Sequence, residues 1–179
     1  YERFAGGHLY RYDPVSGDQQ VLMPDDASPV EDLGVAVPNN GIYALLIDNR
    51  AHIIYGISYP DGRLFEFLID KRKFRDLGEL DREIIFHGPE RDWRSLPRDL
   101  VLDDTGKVYT SGEDGFLVCY DPGQRTIRST GLKIPGEYYP VQAYTGHPVV
   151  ECFARGAKGV VYGGSSDGYL FSFVPATGK

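Results

Sequence analysis

Four times along this chain the same short phrase returns: glycine, any residue, leucine, a large apolar residue, a variable residue, an aromatic-type residue. It reads Gly7-His8-Leu9-Tyr10-Arg11-Tyr12, then Gly62-Arg63-Leu64-Phe65-Glu66-Phe67, then Gly115-Phe116-Leu117-Val118-Cys119-Tyr120, then Gly168-Tyr169-Leu170-Phe171-Ser172-Phe173. Successive glycines lie 55, 53 and 53 residues apart. A repeat of this length must be a supersecondary unit that buries its apolar surface against its neighbours. The phrase itself has the period of a strand. Side chains alternate across a strand, so the large apolar residue and the final aromatic share one face, and leucine and the variable residue share the other.

The flanks repeat too. A tyrosine stands six or seven residues before each glycine, as Tyr1, Tyr55, Tyr109 and Tyr162. Upstream come "YALLIDNRAHIIY", "RDLVLDDTGKVY" and "VECFARGAKGVVY", each an apolar run, a polar turn and a second apolar run. Downstream come "YDPVSGDQQVL", "LIDKRKFRDLG" and "YDPGQRTIRSTGL", each a strand end, a turn rich in Pro, Gly or Lys, and a further strand. Three of the four phrases are entered through Asp-Gly, at Asp61, Asp114 and Asp167, a dipeptide whose backbone suits a tight hairpin. One repeat is therefore four short antiparallel strands, A to D. Thirteen Tyr, nine Phe and 22 Gly in 179 residues are the stock such a fold draws on.

The "D-x-x-G-K-Φ-Y" to "DG-x-L-Φ-x-Y-D-P" cadence resembles the β-propeller repeat superfamily, the kelch, NHL and quinoprotein-like blades. The resemblance covers nearly the whole chain. The WD dipeptide, the GH pair and the kelch double glycine are not in register here. The resemblance implies an all-β propeller domain over 1–179. A partial blade spans 1–24, full blades span 41–80 and 98–134, and a second partial blade spans 149–179. The phase of the repeat, with Tyr1 inside strand B and the last residues at a C–D turn, leads us to expect a portion of a six- to eight-bladed ring, in preference to a four-bladed ring closed by pairing the two ends. The remainder of a longer propeller chain is then one expected partner, and the missing initiator Met fits that expectation.

Composition narrows the chemistry. A formal charge of −7 argues against nucleic acid as the main partner, since phosphate binding needs clustered cations. The basic stretch "DKRKFRD" at 70–76 is flanked by aspartates and reads as a solvated turn. No apolar run approaches the roughly 18 residues of a membrane helix, so no membrane partner is expected. Cys119 and Cys152 fall in strand patterns and read as two small reduced thiols. No nucleophile elbow, Walker or dinucleotide-binding element is present, and no cofactor is read from the sequence.

The resemblance places ligand sites on the face where B–C loops and inter-blade connections emerge. The connections run over about 23–41, 79–97 and 133–149, long enough to carry function. The second holds His87, Glu90, Arg91, Asp92, Trp93 and Arg94, and the third holds Glu137, Tyr138, Tyr139 and His147. Aromatic faces beside charged groups suit a glycan or another polar small molecule, so Arg91, Trp93, Arg94, Glu137, Tyr138, Tyr139 and His147 are the candidate ligand-binding residues. His87, Tyr138 or Tyr139, with Arg91 clamping a carboxylate, would suit proton abstraction beside a uronate, an arrangement similar to that of some propeller-fold polysaccharide lyases. The competing reading is that Trp93 and the tyrosines plug the gaps between blades. No metal site is read. His87 and His147 come nearest to one, but they lie 60 residues apart with no tight ligand motif. His8 and His52 fall at strand and turn positions and read as structural, and Asp61, Asp114 and Asp167 read as turn residues.

The leading expectation is a non-catalytic binding or scaffold module for a glycan or other polar ligand. A carbohydrate-active enzyme and a protein-interaction platform are the alternatives.

Overall fold

A computed structural model describes residues 6–13, 30–80, 96–112, 114–137 and 147–178. Among these residues the chain is all-β, with four antiparallel sheets and no α-helix. Sheet 1 pairs β1 (His8–Tyr12) with β2 (Val30–Val35). Sheet 2 orders β3 (Gly41–Asp48), β4 (Ile53–Tyr59), β5 (Arg63–Leu68) and β6 (Lys73–Glu79) as they follow in the chain. Sheet 3 does the same with β7 (Val101–Leu102), β8 (Val108–Ser111), β9 (Phe116–Asp121) and β10 (Thr126–Lys133). Sheet 4 holds β11 (Val150–Arg155), β12 (Val161–Ser165) and β13 (Leu170–Phe173). The strand β2 lies inside the stretch 23–41 that the sequence reads as a connection.

The hairpins form where turn chemistry allows. Gly62, Gly115 and Gly168 all take positive φ, at 62°, 81° and 83°, as the Asp-Gly pairs require. At the opposite end, Asp48 Oδ1 accepts from the N–H groups of Arg50 and Ala51. Asp103 Oδ1 accepts from Thr105 and Lys107 in the equivalent turn of sheet 3. These are local Asx turns, so the carboxylates are committed to reversing the chain. The basic stretch at 70–76 is a 3₁₀ turn followed by β6, and its two arginines are paired: Arg75 with the buried Glu66 at 2.8 Å, and Arg72 with Glu31 of sheet 1. The exposed His8 and His52 pair with Asp32 and Asp70.

The sheets stack face on face, and the repeated phrase supplies both faces. The core between sheets 2 and 3 joins Leu46, Tyr55, Ile57 and Leu64 on one side to Leu102, Val108, Val118 and Tyr120 on the other. The core between sheets 3 and 4 joins Val101, Tyr109 and Leu117 to Phe153, Val161, Phe171 and Phe173. In each, the tyrosine of one sheet meets the closing aromatic of the next. Tyr55 and Tyr120 lie 6.0 Å apart edge to face, and Tyr109 and Phe173 lie 5.7 Å apart. Burial pushes the phenols of Tyr55 and Tyr109 well above the ordinary range. Like edges adjoin as the stack proceeds: β7 lies against β11, and β6 against β10.

A second rule is written across neighbouring strands. Gly56 faces Phe65, and Gly163 faces Phe171. A Cβ on Gly163 would stand 2.4 Å from the Phe171 ring, so the ring lies flat where a side chain would be. In sheet 3 the same pair is Thr110 and Val118: a smaller apolar residue stands opposite a larger neighbour. The pair conserves volume within the sheet, so that each sheet presents a flat surface to the next. Gly163→Ala is therefore expected to destabilise the chain by about 1–3 kcal/mol, read from its urea midpoint. Adding Phe171→Val should return part of that loss, and a neutral Gly163→Ala would show that the ring has room to move.

Candidate functional site

The first strands of sheets 2, 3 and 4 begin at one end of the stack, where the connections arrive. A polar cluster bridges them there. Arg98, just before β7, donates from Nε to the Tyr43 hydroxyl of β3 at 3.2 Å and from Nη1 to Glu151 Oε2 of β11 at 2.6 Å. One guanidinium, carried just ahead of sheet 3, thus bridges sheets 2 and 4. Its backbone joins in, since Arg98 N donates to the Val150 carbonyl. The adjoining Asp99 accepts the Phe153 N–H on Oδ2 at 2.6 Å. The arginine is held charged above its ordinary range. Burial opposes the charge, but the Tyr43 hydroxyl and the Glu151 carboxylate outweigh it. About a third of both the Arg98 and Glu151 side chains stays open to solvent. The Tyr43 ring lies 6.0 Å from that of Tyr59, and both rings are half-buried.

Around this centre the hairpin turns clamp the connections. Asn40, buried just before β3, donates from Nδ2 to Asp61 Oδ2 at 2.8 Å. Its Oδ1 accepts from Asp61 N and from the Ser58 hydroxyl. In sheet 4, Asp167 Oδ2 accepts from Glu137 N at 2.8 Å, and Ser166 Oγ accepts from Val149 N. Ser111 of β8 is fully buried and accepts the Val150 N–H. Asp61 and Asp167, expected as turn residues only, thus also hold the incoming chain. Asp114 keeps the simpler role and accepts the Phe116 N–H.

Of the candidates read from the sequence, Glu137 and His147 lie within the described residues. They stand at the two ends of the 138–146 segment. The backbone of Glu137 is tied to Asp167, and the His147 ring packs over Gly115 with Nδ1 3.5 Å from where a Cβ would stand. Pro148 and Asp167 both crowd Gly136 within 2.7 Å of its absent Cβ, so both ends of the segment meet at one hairpin. His87, Arg91, Trp93, Arg94, Tyr138 and Tyr139, with Glu90 and Asp92, lie outside the described residues.

Among the described residues no three His, Cys, Asp or Glu side chains gather to hold a metal ion. Cys119 is half-buried and Cys152 exposed, and both are free thiols. No described helix is long and apolar enough to cross a membrane. At the far end of sheets 2 and 3 lies a shallow open cleft of about 290 Å³, lined by Asp48, Arg50, Ala51, Asp104, Thr105 and Gly106. Its carboxylates are engaged, Asp48 in its turn and Asp104 with Arg155. The Arg98 cluster is the better candidate.

The sequence matches no protein-family model and no curated protein. The fold has solved counterparts. It is similar to the extracellular domain of a putative one-component system from B. thetaiotaomicron, at a TM-score of 0.57 and 17% identity over 94% of this chain and 19% of that one. It is also similar to the extracellular domain of a putative hybrid two-component system from the same organism, at 0.51 and 16% over 77% of this chain and 16% of that one. The chain spans less than a fifth of the length of either. At such identity the likeness is one of fold.

Sequence reasoning passed over Arg98, Tyr43 and Glu151 because they are far apart in the chain and stand in no motif. The signal was positional: each lies within three residues of the start of a first strand. Two substitutions test the clamp and the centre. Arg98→Ala should lower stability by about 1–3 kcal/mol, because Glu151 then loses its charged partner. Asn40→Asp places a second carboxyl beside Asp61 in a buried site, which raises the folded-state pKa of the pair. A raised carboxyl pKa leaves stability in place at low pH and removes it as pH rises. The gap between variant and wild type should therefore be small near pH 4 and wide near neutrality in thermal melts. A pH-independent gap would count against the contact with Asp61.

Proposed function

We propose that the four sheets are successive blades of a propeller-type arc, and that the arc is a non-catalytic binding module for a glycan. The 53-residue repeat supports the blade reading, as do the face-to-face stacking and the adjoining like edges. The observation that carries the ligand is the Arg98 cluster. A guanidinium paired with a carboxylate is a neutral, densely hydrogen-bonding unit, and it touches Tyr43, whose ring has that of Tyr59 as a neighbour. Sugar hydroxyls take and give hydrogen bonds to such a pair, and the apolar face of a pyranose stacks on the rings. The overall charge of −7 disfavours a polyanion, so a neutral oligosaccharide fits better than a uronate polymer. In a propeller, Glu137, His147 and the connections that carry them would open on the same end and extend the site.

Calorimetric titration of the chain with neutral and uronic oligosaccharides tests this. A neutral oligosaccharide should bind and raise the melting temperature without being consumed. Tyr43→Ala should weaken it about tenfold, a loss of about 1.4 kcal/mol. Binding to none of the sugars would overturn the reading. Release of an unsaturated product from a uronate polymer would move it to a lyase, with His87, Arg91 and the tyrosines at 138 and 139 as the residues to substitute.

A further inference from the structure

The Arg98 cluster is one position of the repeat, used three times. The tyrosine upstream of each phrase fixes the alignment, because it pairs with a residue of the first strand of its own sheet. Tyr55 pairs with Leu46, Tyr109 with Val101 and Tyr162 with Ala154. Three residues before each of those partners stand Tyr43, Arg98 and Glu151. In sheets 2 and 4 that residue is the extra one of a β-bulge. The register passes from Ile42 to Ala44 over Tyr43, and from Val150 to Cys152 over Glu151. The slip breaks the alternation of faces. Ile42 packs with Ala36 and Val37 after β2, while Ala44 packs toward sheet 3. Val150 is fully buried against sheet 3, while Cys152 is exposed. A bulge re-aims the side chain it carries. Two repeats thus turn a phenol and a carboxylate onto the guanidinium that a third repeat supplies. The aligning position carries tyrosine in all three sheets, whereas this one carries three different chemistries.

We propose that Glu151 is the specificity-determining residue of this site: its carboxylate takes the place on Arg98 that a uronate carboxylate would claim, and so holds the site to neutral sugars. An arginine fork is the strongest side-chain partner for a carboxylate. With Glu151 Oε2 on Nη1 at 2.6 Å, that place is filled, and a second carboxylate would meet a like charge beside it. A neutral sugar meets no such barrier. Glu151 Oε1 accepts no hydrogen bond among the described residues, and a sugar hydroxyl can donate to it. The role rests on the glycan reading of the cluster and adds to it the group that decides between sugar classes.

Calorimetric titration with matched trisaccharides, a neutral sugar and its counterpart oxidised to uronate at C6, tests it. The wild type should take the neutral form and not the uronate. Glu151→Ala should bind the uronate more than about tenfold tighter than the wild type does. That gain should shrink as salt rises, since it is an attraction between charges at a partly open site. Adding Arg98→Gln should remove the gain, because the freed guanidinium is what the uronate meets. Thermal melts check that each variant is folded, and Glu151→Gln, which removes the charge and keeps the shape, serves if Glu151→Ala is not. A wild type that binds the neutral form, beside a folded Glu151 variant with no gain for the uronate, overturns the proposal and leaves the glycan reading standing. So does a gain that survives Arg98→Gln, or a wild type that binds both forms equally. A wild type that binds neither form overturns the glycan reading, and the proposal with it.

Discussion

The structure depends on one contact made repeatedly: leucine and tyrosine on the leading face of a sheet, packed against an apolar residue and an aromatic on the trailing face of the next. No single sheet here could stand alone. A four-stranded sheet has two faces, and in this sequence both are apolar at the phrase positions. Stability is therefore a property of neighbours, and it passes along the stack much as it does in other repeat architectures. The polar devices are secondary to this contact but set its geometry. Asn40 with Asp61, and Asp167 with the Glu137 backbone, tie the chain beside the first and third connections to a hairpin turn.

Much of this was legible in advance because strand alternation leaves a clear trace. The phrase placed the large apolar residue and the closing aromatic of all four repeats on a face buried between sheets; Phe67, Tyr120 and Phe173 are buried there, whereas Tyr10 and Tyr12 of sheet 1 are exposed. The structure adds that the leucine face is buried as well, by the following sheet. The glycine opposite Phe65 and Phe171 could not be weighed from the sequence, because its meaning lies across a strand pair. Only a register shows that Gly163 leaves room for a ring while Thr110 compensates for Val118. The location of β2 was missed for a related reason: a strand of mixed polarity, "VEDLGV", carries little alternation to read.

The site was less legible than the fold, for a physical reason. A repeat stacks equivalent positions side by side, so residues more than 50 apart in sequence become neighbours where the first strands begin. Tyr43, Arg98 and Glu151 meet that way. Sequence reading favoured the long connections, where aromatic and charged residues are dense, and Glu137 and His147 do stand at the base of one. Density in sequence and convergence in space are different signals, and a stacked repeat separates them.

The charge economy of the Arg98 cluster follows from the same stacking. An arginine at the junction of three sheets must satisfy several donors within a crowded edge, and its planar fork does so without a long reach. A lysine there would be a point charge and could not serve Tyr43 and Glu151 from separate nitrogens in fixed directions. The pair is kept partly open because it sits where the connections arrive and the first strands begin, not between sheet faces where apolar packing would cover it. An element that ties sheets 2, 3 and 4 together is therefore also the polar group they expose at their common edge. Any ligand bound there contacts the stack at the point where its geometry is most tightly specified.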